Sequence, residues 1–311
     1  MAKQRSVCII ALTWNNKKLI SQCLKSIYKN TDYQNYKIIV VENGSTEDCV
    51  EFTRKHFPKA DVLHITPNRG FSGGNNVGVK YALEKYNPDY VILISNDIEI
   101  VQKDWLNKMV DLCENNKSIG VQSCKLLYPD GTIQHAGIDV YRIVPLPEGN
   151  GEDDRGQYDY VKPLNSVIGA LFLISRKAIK DVGLLDEIYR PAMHEDLDYC
   201  IRARKKDFVV VYNGLVKAIH HEGFTLNKSN LDDKFFVSQR NLLLLTLRHS
   251  PLSYTLLRLL EGMIFALVWK KPRQRLSIRS IIPNKKFLLR LYLVFKGFKW
   301  AILHKDLKPI Y

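Results

Sequence analysis

The chain has 311 residues, 46% of them hydrophobic and 25% charged, which argues against a disordered segment and allows one large domain or a domain with an appendage. Its six cysteines, Cys8, Cys23, Cys49, Cys113, Cys124 and Cys200, are widely spaced with no CxxC pair; they suggest neither a zinc knuckle nor a disulfide framework, and read as reduced, mostly buried thiols. The formal charge of +14 is lopsided: residues 226–311 carry 17 Lys and Arg against 4 Asp and Glu, which suits an anionic partner, a membrane surface or nucleic acid, or else a solvated basic face.

The N-terminus runs from Met-Ala-Lys-Gln-Arg directly into the apolar stretch Val7–Leu12, which is too short for a signal-peptide core, so the cytoplasm is the expected location. Val7–Leu12 and Tyr36–Val41 are short runs rich in β-branched residues and are predicted as buried parallel strands. Between them Leu19, Ile20, Cys23, Leu24 and Ile27 recur at helical spacing, giving a strand, helix, strand unit. Val62–Ile65 as a strand, Gly74–Tyr86 as a helix and Tyr90–Ile94 as a strand continue the pattern, so the expected class is α/β with a mostly parallel sheet. Ligands in such sheets bind beyond the strand C-termini, which directs attention to Thr13–Asn15, Glu42–Ser45 and Ser95–Glu99.

Pro145–Tyr160 is polar, rich in Gly and Asp and without hydrophobic period; it is predicted as a long loop covering the site or as a disordered insert. Beyond about residue 226 come the Leu-rich segments Leu242–Leu247, Tyr254–Trp269 and Phe287–Leu303, none a clean apolar span of about 20 residues. Arg258, Glu261, Arg290, Lys296 and Lys299 interrupt them, and amphipathic helices at a membrane interface fit this pattern best. The competing picture is a helical subdomain with its cations in water.

Glu42-Asn43-Gly44-Ser45 puts a carboxylate at a strand end, able to accept from a base N–H or ribose hydroxyl, although a capped turn would look the same. Asn68–Asn76 contains three glycines around an aromatic and beside Arg69, a composition that lets backbone amides approach an anion or simply makes a tight turn. Asp97 ends the most hydrophobic strand, where a carboxylate could hold Mg²⁺ or Mn²⁺ against a diphosphate. Glu195 and Asp196 open a helix in which Asp198 and Arg202 form a structural i, i+4 pair; a general base or an acidic helix N-terminus would account for them. His220 and His221 follow the strand Val209–Tyr212, and either imidazole could complete a metal shell.

In this order, Ile9–Asn15, Val40–Thr46, Asn68–Gly78, Leu93–Asp97, Gly169-Ala170, Gly183–Glu187, Glu195–Arg202, His220 with Gly223 and Thr225, and Arg240-Asn241 resemble the family 2 glycosyltransferases, in particular a rhamnosyltransferase-like branch, over roughly residues 5–245. The resemblance implies a GT-A fold over residues 1–225, with 226–311 a basic, helical, membrane-associating region. It implies that Thr13 and Glu42 hold the nucleoside, with Asn15, Asn43, Arg69, Gly70, Asn76, Asn96 and Gly169 as further nucleotide-sugar contacts. It also implies Asp97 as ligand to Mg²⁺ or Mn²⁺, Asp196 as base with Glu195 beside it, and His220, or alternatively His221, as a further metal or phosphate ligand. Two positions depart from the family pattern: Glu42 stands where Asp is usual, and Ser95 where an Asn or Asp-like residue is usual.

The implied reaction is an inverting displacement on a dTDP-, UDP- or GDP-linked sugar, rhamnose among the candidates, by a hydroxyl of a glycan or polyprenyl-linked acceptor in cell-surface polysaccharide synthesis. Such an enzyme would sit peripherally on the inner face of the cell membrane and need no nucleic acid. A sugar-1-phosphate nucleotidyltransferase also uses an α/β sheet and a metal carboxylate, but its Gly-rich loop with Arg and Lys is missing after Leu12. A non-catalytic protein of the same fold with a nucleic-acid-binding tail would not need Asp97, Asp196 and His220 together.

Overall fold

The computed structural model describes residues 4–138, 147–221, 231–268 and 287–309. The described residues up to Arg190 and from Glu195 to His221 form one compact unit; Pro191–His194 and the described residues beyond 230 form a second.

The first unit is built on a sheet of β1 (Val7–Thr13), β2 (Tyr36–Asn43), β3 (Asp61–Ile65), β4 (Tyr90–Ser95), β5 (Ile98–Ile100), β6 (Ile119–Leu127), β7 (Ile133–His135), β8 (Val161–Pro163), β9 (Leu171–Ser175) and β10 (Val209–His220). Its main path runs β3-β2-β1-β4-β9-β6-β10-β5, with β7 on β6 and β8 on β10. Along that path β3, β2, β1, β4, β6 and β10 point one way, and β9 and β5 run against them. The sheet is therefore mostly parallel, and β9 brings Gly169 and Ala170 to the C-terminal end of β4, where Ser95 N–H donates to Ala170 O at 2.9 Å.

Period-two alternation divides the strands between two apolar layers. Val7, Ile9 and Ala11 face a cluster holding Ile20, Cys23 and Leu24 of α1 (Lys17–Lys29) and Trp105, Met109 and Val110 of α4 (Trp105–Asn115). Cys8 and Ile10 face the opposite cluster, which holds Val79 and Ala82 of α3 (Gly70–Lys85), Ala178 and Ile179 of α5 (Arg176–Val182), and Tyr199 and Cys200 of α6 (Glu195–Arg204). Helix α2 (Glu47–His56) lies between β2 and β3 in sequence. All six cysteines are free and buried, as their spacing predicts.

One expectation is corrected. The helix expected from Gly74 begins at Gly70, because its glycines are packing residues: a Cβ on Gly74 would lie 2.4 Å from Leu12 Cδ1, and one on Gly78 would lie 2.5 Å from Ile10 Cγ2. The segment expected as a long loop or a disordered insert is a loop over its described residues 147–160, and it is tied down. Glu148 O accepts from Ala136 N–H and Glu152 O from Ile133 N–H, the fully buried Lys125 ammonium is paired with Asp154 and Asp159, and Tyr212 Oη–H donates to Tyr158 O. Pro145 lies outside the described residues.

The second unit contains α7 (Leu231–His249), α8 (Leu252–Val268) and α9 (Phe287–His304) around a small core of Phe235, Ala266 and Val294. Among the described residues no helix is long and apolar enough to cross a membrane.

Candidate active site

Thr13 and Glu42 are register partners at the ends of β1 and β2, and both are buried. Asn96 Nδ2 donates to Thr13 Oγ1 at 2.8 Å, so the residue after β4 fixes the hydroxyl at the end of β1. Glu42 accepts from Thr53 Oγ1 at 2.6 Å through Oε1, while Oε2 is buried with no partner. Asn15, with a left-handed φ of 47°, donates its N–H to Ser45 Oγ and accepts from Thr46 N–H, joining the loops after β1 and β2.

Asp97 follows β4 and is brought beside His220 by the antiparallel pairing of β5 with β10, in which Ile98 faces His220. His220 Nε2 lies 3.3 Å from Asp97 Oδ1, a buried oxygen with no hydrogen bond. His220 Nδ1 faces Gln134 Oε1 at 2.6 Å. His221 is directed elsewhere: its Nε2 lies 2.8 Å from Glu99 Oε2 and 2.9 Å from Gln22 Nε2. The imidazole beside Asp97 is therefore that of His220. β10 runs to His220 itself instead of ending near Tyr212, and this extra length is what carries the ring to Asp97. Gly223 and Thr225 lie outside the described residues.

Glu195 and Asp196 form the first turn of α6. Asp196 Oδ2 accepts from Gly169 N–H at 2.7 Å and Oδ1 from Leu197 N–H at 2.8 Å. Burial raises the Asp196 pKa, and the two N–H groups pull it back by favouring the carboxylate. Burial, then the adjacent Asp196 charge, raises Glu195 well above the usual carboxylate range, and its Oε2 has no partner. Burial thus raises both carboxyls of this adjacent pair, Glu195 the more strongly, and the two titrate as a unit. As expected, Asp198 is structural: it accepts from Arg202 Nε at 2.7 Å and Tyr189 Oη at 3.1 Å.

Since Ser95 bonds Ala170 and Gly169 bonds Asp196, both carboxylates belong to the end of the sheet where β4 stops and β9 starts. Four expected sugar-nucleotide contacts have other partners. Asn43 Nδ2 donates to Gly70 O at 2.9 Å and its Oδ1 accepts from Arg69 N–H at 2.8 Å. Asn76 exchanges two bonds with the Leu185 backbone, the Arg69 guanidinium pairs with Glu187 at 3.2 Å, and Gly169 contacts Asp196. Gly70, at φ 73°, takes the left-handed turn that opens α3.

Gln134 and His135 escape sequence reasoning, since no motif surrounds them and the three-residue β7 alone brings them in. His135 is wholly buried with neither ring nitrogen partnered, and burial, followed by the nearby His220, lowers its pKa to about 3. A further clamp lies in the second unit: Asn241 Nδ2 donates to Ala192 O at 3.0 Å and Met193 O at 2.9 Å, holding Met193 and His194 at φ 83° and 73° directly before α6.

The family model for glycosyl transferase family 2 matches residues 8–183, more than half of the chain. The chain belongs to glycosyl transferase family 2. This glycosyltransferase family member is 25% identical over 225 residues to the O-antigen biosynthesis protein RfbC of Myxococcus xanthus, covering 70% of the chain and 17% of that protein. It is 25% identical over 216 residues to the low-salt glycan biosynthesis hexosyltransferase Agl10 of Haloferax volcanii, covering 66% of the chain and 65% of that protein. It thus spans less than two thirds of the length of either relative. The crystal structure of GalNAc-T7 with UDP, GalNAc and Mn²⁺ superposes with a TM-score of 0.61 at 12% identity, over 97% of this chain and 57% of that one, and shows the shared GT-A fold.

Proposed function

We propose that the chain is an inverting glycosyltransferase that moves a sugar from a nucleoside-diphosphate donor to a hydroxyl of a glycan or polyprenyl-linked acceptor in cell-surface polysaccharide synthesis, with dTDP-, UDP- and GDP-linked donors, and rhamnose among the sugars, as candidates. The reading is carried by the buried Asp97 Oδ1, which makes no hydrogen bond and lies 3.3 Å from His220 Nε2, at the end of the sheet that also bears Asp196.

Thr13, held by Asn96, and the unpartnered Glu42 Oε2 would receive the nucleoside, the latter accepting from a base N–H or ribose hydroxyl. Asp97 and His220 suit Mg²⁺ or Mn²⁺, a hard oxygen and an imidazole meeting at an otherwise unsatisfied buried acceptor. Among the described residues no group of three His, Cys, Asp or Glu could hold a metal, so Asp97 and His220 are the side chains that would hold the ion. Such an ion supplies neutralisation of the departing diphosphate. Gln134 orients His220 from the far side of the ring. Asp196 takes the proton of the acceptor hydroxyl as that oxygen bonds to the anomeric carbon. The bond from this carbon to the diphosphate oxygen breaks with its electron pair leaving on the diphosphate, and the configuration inverts. Burial and the adjacent Asp196 charge disfavour ionisation of Glu195, which limits the negative charge of the pair. Residues 226–311 would bring the enzyme to a membrane-borne acceptor.

The test is transfer and hydrolysis on a nucleotide-sugar panel with Mn²⁺. Asp196→Asn is expected to lower kcat by about 10²–10⁴-fold while donor binding by calorimetry persists, and Asp97→Asn to weaken Mn²⁺-dependent donor binding. Turnover unchanged by both substitutions would end this reading.

A further inference from the structure

In the second unit α8 buries its charges and exposes leucines, and α9 also buries an arginine. Arg258 of α8 is 1% exposed, its guanidinium donating to Glu261 Oε2 at 2.7 Å and to Tyr254 Oη at 2.5 Å. Arg290 of α9 is also buried, against Asp232 at 3.1 Å. Of the charges that interrupt these segments, Arg258, Glu261 and Arg290 therefore lie inside, and Lys296 and Lys299 are exposed. Outward, α8 presents Leu252, Leu256, Leu260 and Ile264, an unbroken i, i+4 stripe between 51% and 63% exposed, with Leu257 beside it. Ser253 is the only polar residue among the described exposed positions of this helix. Exposing such a stripe while burying ion pairs is unfavourable in water, which points to a second apolar solvent or partner.

We infer that this leucine face of α8 is a docking surface for a lipid bilayer with anionic headgroups. The inference deepens the membrane contact in the proposed function and rests on that part of it. Three observations select lipid over a second copy of the chain. First, residues 226–311 carry 17 Lys and Arg against 4 Asp and Glu, a charge that an anionic surface attracts and a symmetric copy repels. Second, α9 exposes Tyr292 and Phe295 together with Lys296 and Lys299, and aromatic rings with long cationic chains suit the headgroup layer, whereas Lys is depleted from protein interfaces. Third, no described helix is long and apolar enough to span, so contact by a helix face is the geometry left to α8.

The experiment is flotation of the full chain with phosphatidylcholine vesicles, with and without about 30 mol% phosphatidylglycerol. Wild type is expected to float with the anionic vesicles and to be partly released by salt. Leu256→Glu/Leu260→Glu should lower partitioning about ten-fold or more with an unchanged thermal melt, since both positions are exposed. Lys296→Gln/Lys299→Gln, which changes no apolar residue, should remove the preference for anionic over neutral vesicles. A wild-type chain that stays out of the lipid fraction overturns the inference, as does flotation unaffected by both double variants. A dimer that Leu256→Glu/Leu260→Glu converts to monomer without vesicle binding overturns it in favour of a second copy. Flotation reads no turnover, so transfer to a water-soluble acceptor judges the catalytic reading separately.

Discussion

Replacing Gly74 by Ala separates the two meanings its glycine cluster can have. In an open helix Ala gains up to about 1 kcal/mol over Gly, so a glycine kept only for ligand approach would be stabilised by the change. Here the new Cβ would lie 2.4 Å from Leu12 Cδ1 and 2.9 Å from Asn43 Nδ2. Leu12 Cδ1 ends a flexible side chain and can move at small cost. Asn43 cannot follow without stretching its bonds to Gly70 O and Arg69 N–H, each worth about 1 kcal/mol. Overpacking of this kind costs about 1–3 kcal/mol, so the net expectation after the helix gain is a loss of up to roughly 2 kcal/mol. For a domain of this size that lowers Tm by up to about 8 °C, measurable by calorimetry or urea titration. Gly78→Ala should cost more, because its Cβ would meet Ile10 Cγ2 at 2.5 Å and Val41 Cγ2 at 3.0 Å, both on buried strand residues. A Gly74→Ala protein that melts at or above wild type, with weakened donor binding, would refute the packing argument.

Gln134→Leu should weaken Mn²⁺-dependent donor binding about 10- to 100-fold by removing the partner of His220 Nδ1, whereas His221→Ala should leave that binding intact; calorimetry reads both. The raised pKa of Glu195 means that the folded state holds its proton more tightly than the unfolded chain. This group's contribution is therefore fully present below the unfolded value of 4.5 and is lost as pH rises through the folded value. Glu195→Gln should accordingly raise Tm at pH 8 relative to wild type, by about 2–4 °C for each kcal/mol recovered, and change it little at pH 4. Asn241→Ala should speed amide exchange across residues 192–194 by releasing Ala192 O and Met193 O, and adding Met193→Gly should recover part of the lost Tm because glycine takes φ 83° without strain.

Much of the half of the sheet built from β1, β2 and β4 is legible in the chain because it is local. β1, β2 and β4 are continuous apolar runs whose ends carry Thr13, Glu42 and Asp97 within a few residues, so identifying a strand also locates its terminal side chain. The glycines from Gly70 to Gly78 are equally visible in sequence, yet their purpose is not: a glycine admits close approach by a phosphate or by Leu12, and composition does not separate the two. Asn43 and Asn76 are likewise conspicuous beside the motifs, although their amides are committed to the backbones of Gly70 and Leu185.

The strands β1 to β4 with their strand-end carboxylates, the free cysteines and the basic charge of residues 226–311 follow from the chain by itself, since each depends on the period of nearby residues or on a sum over them. The tertiary structure alone decides that His220 and not His221 meets Asp97, that Gln134 backs its ring, and that Gly169 holds Asp196. It also turns Arg258 and Arg290 inward and leaves the leucines of α8 outside. These facts depend on β5 pairing with β10, β9 entering between β4 and β6, and helix packing in the second unit. A strand's register or a helix's rotation is set by partners distant in sequence, so it cannot be read from the spacing within either element.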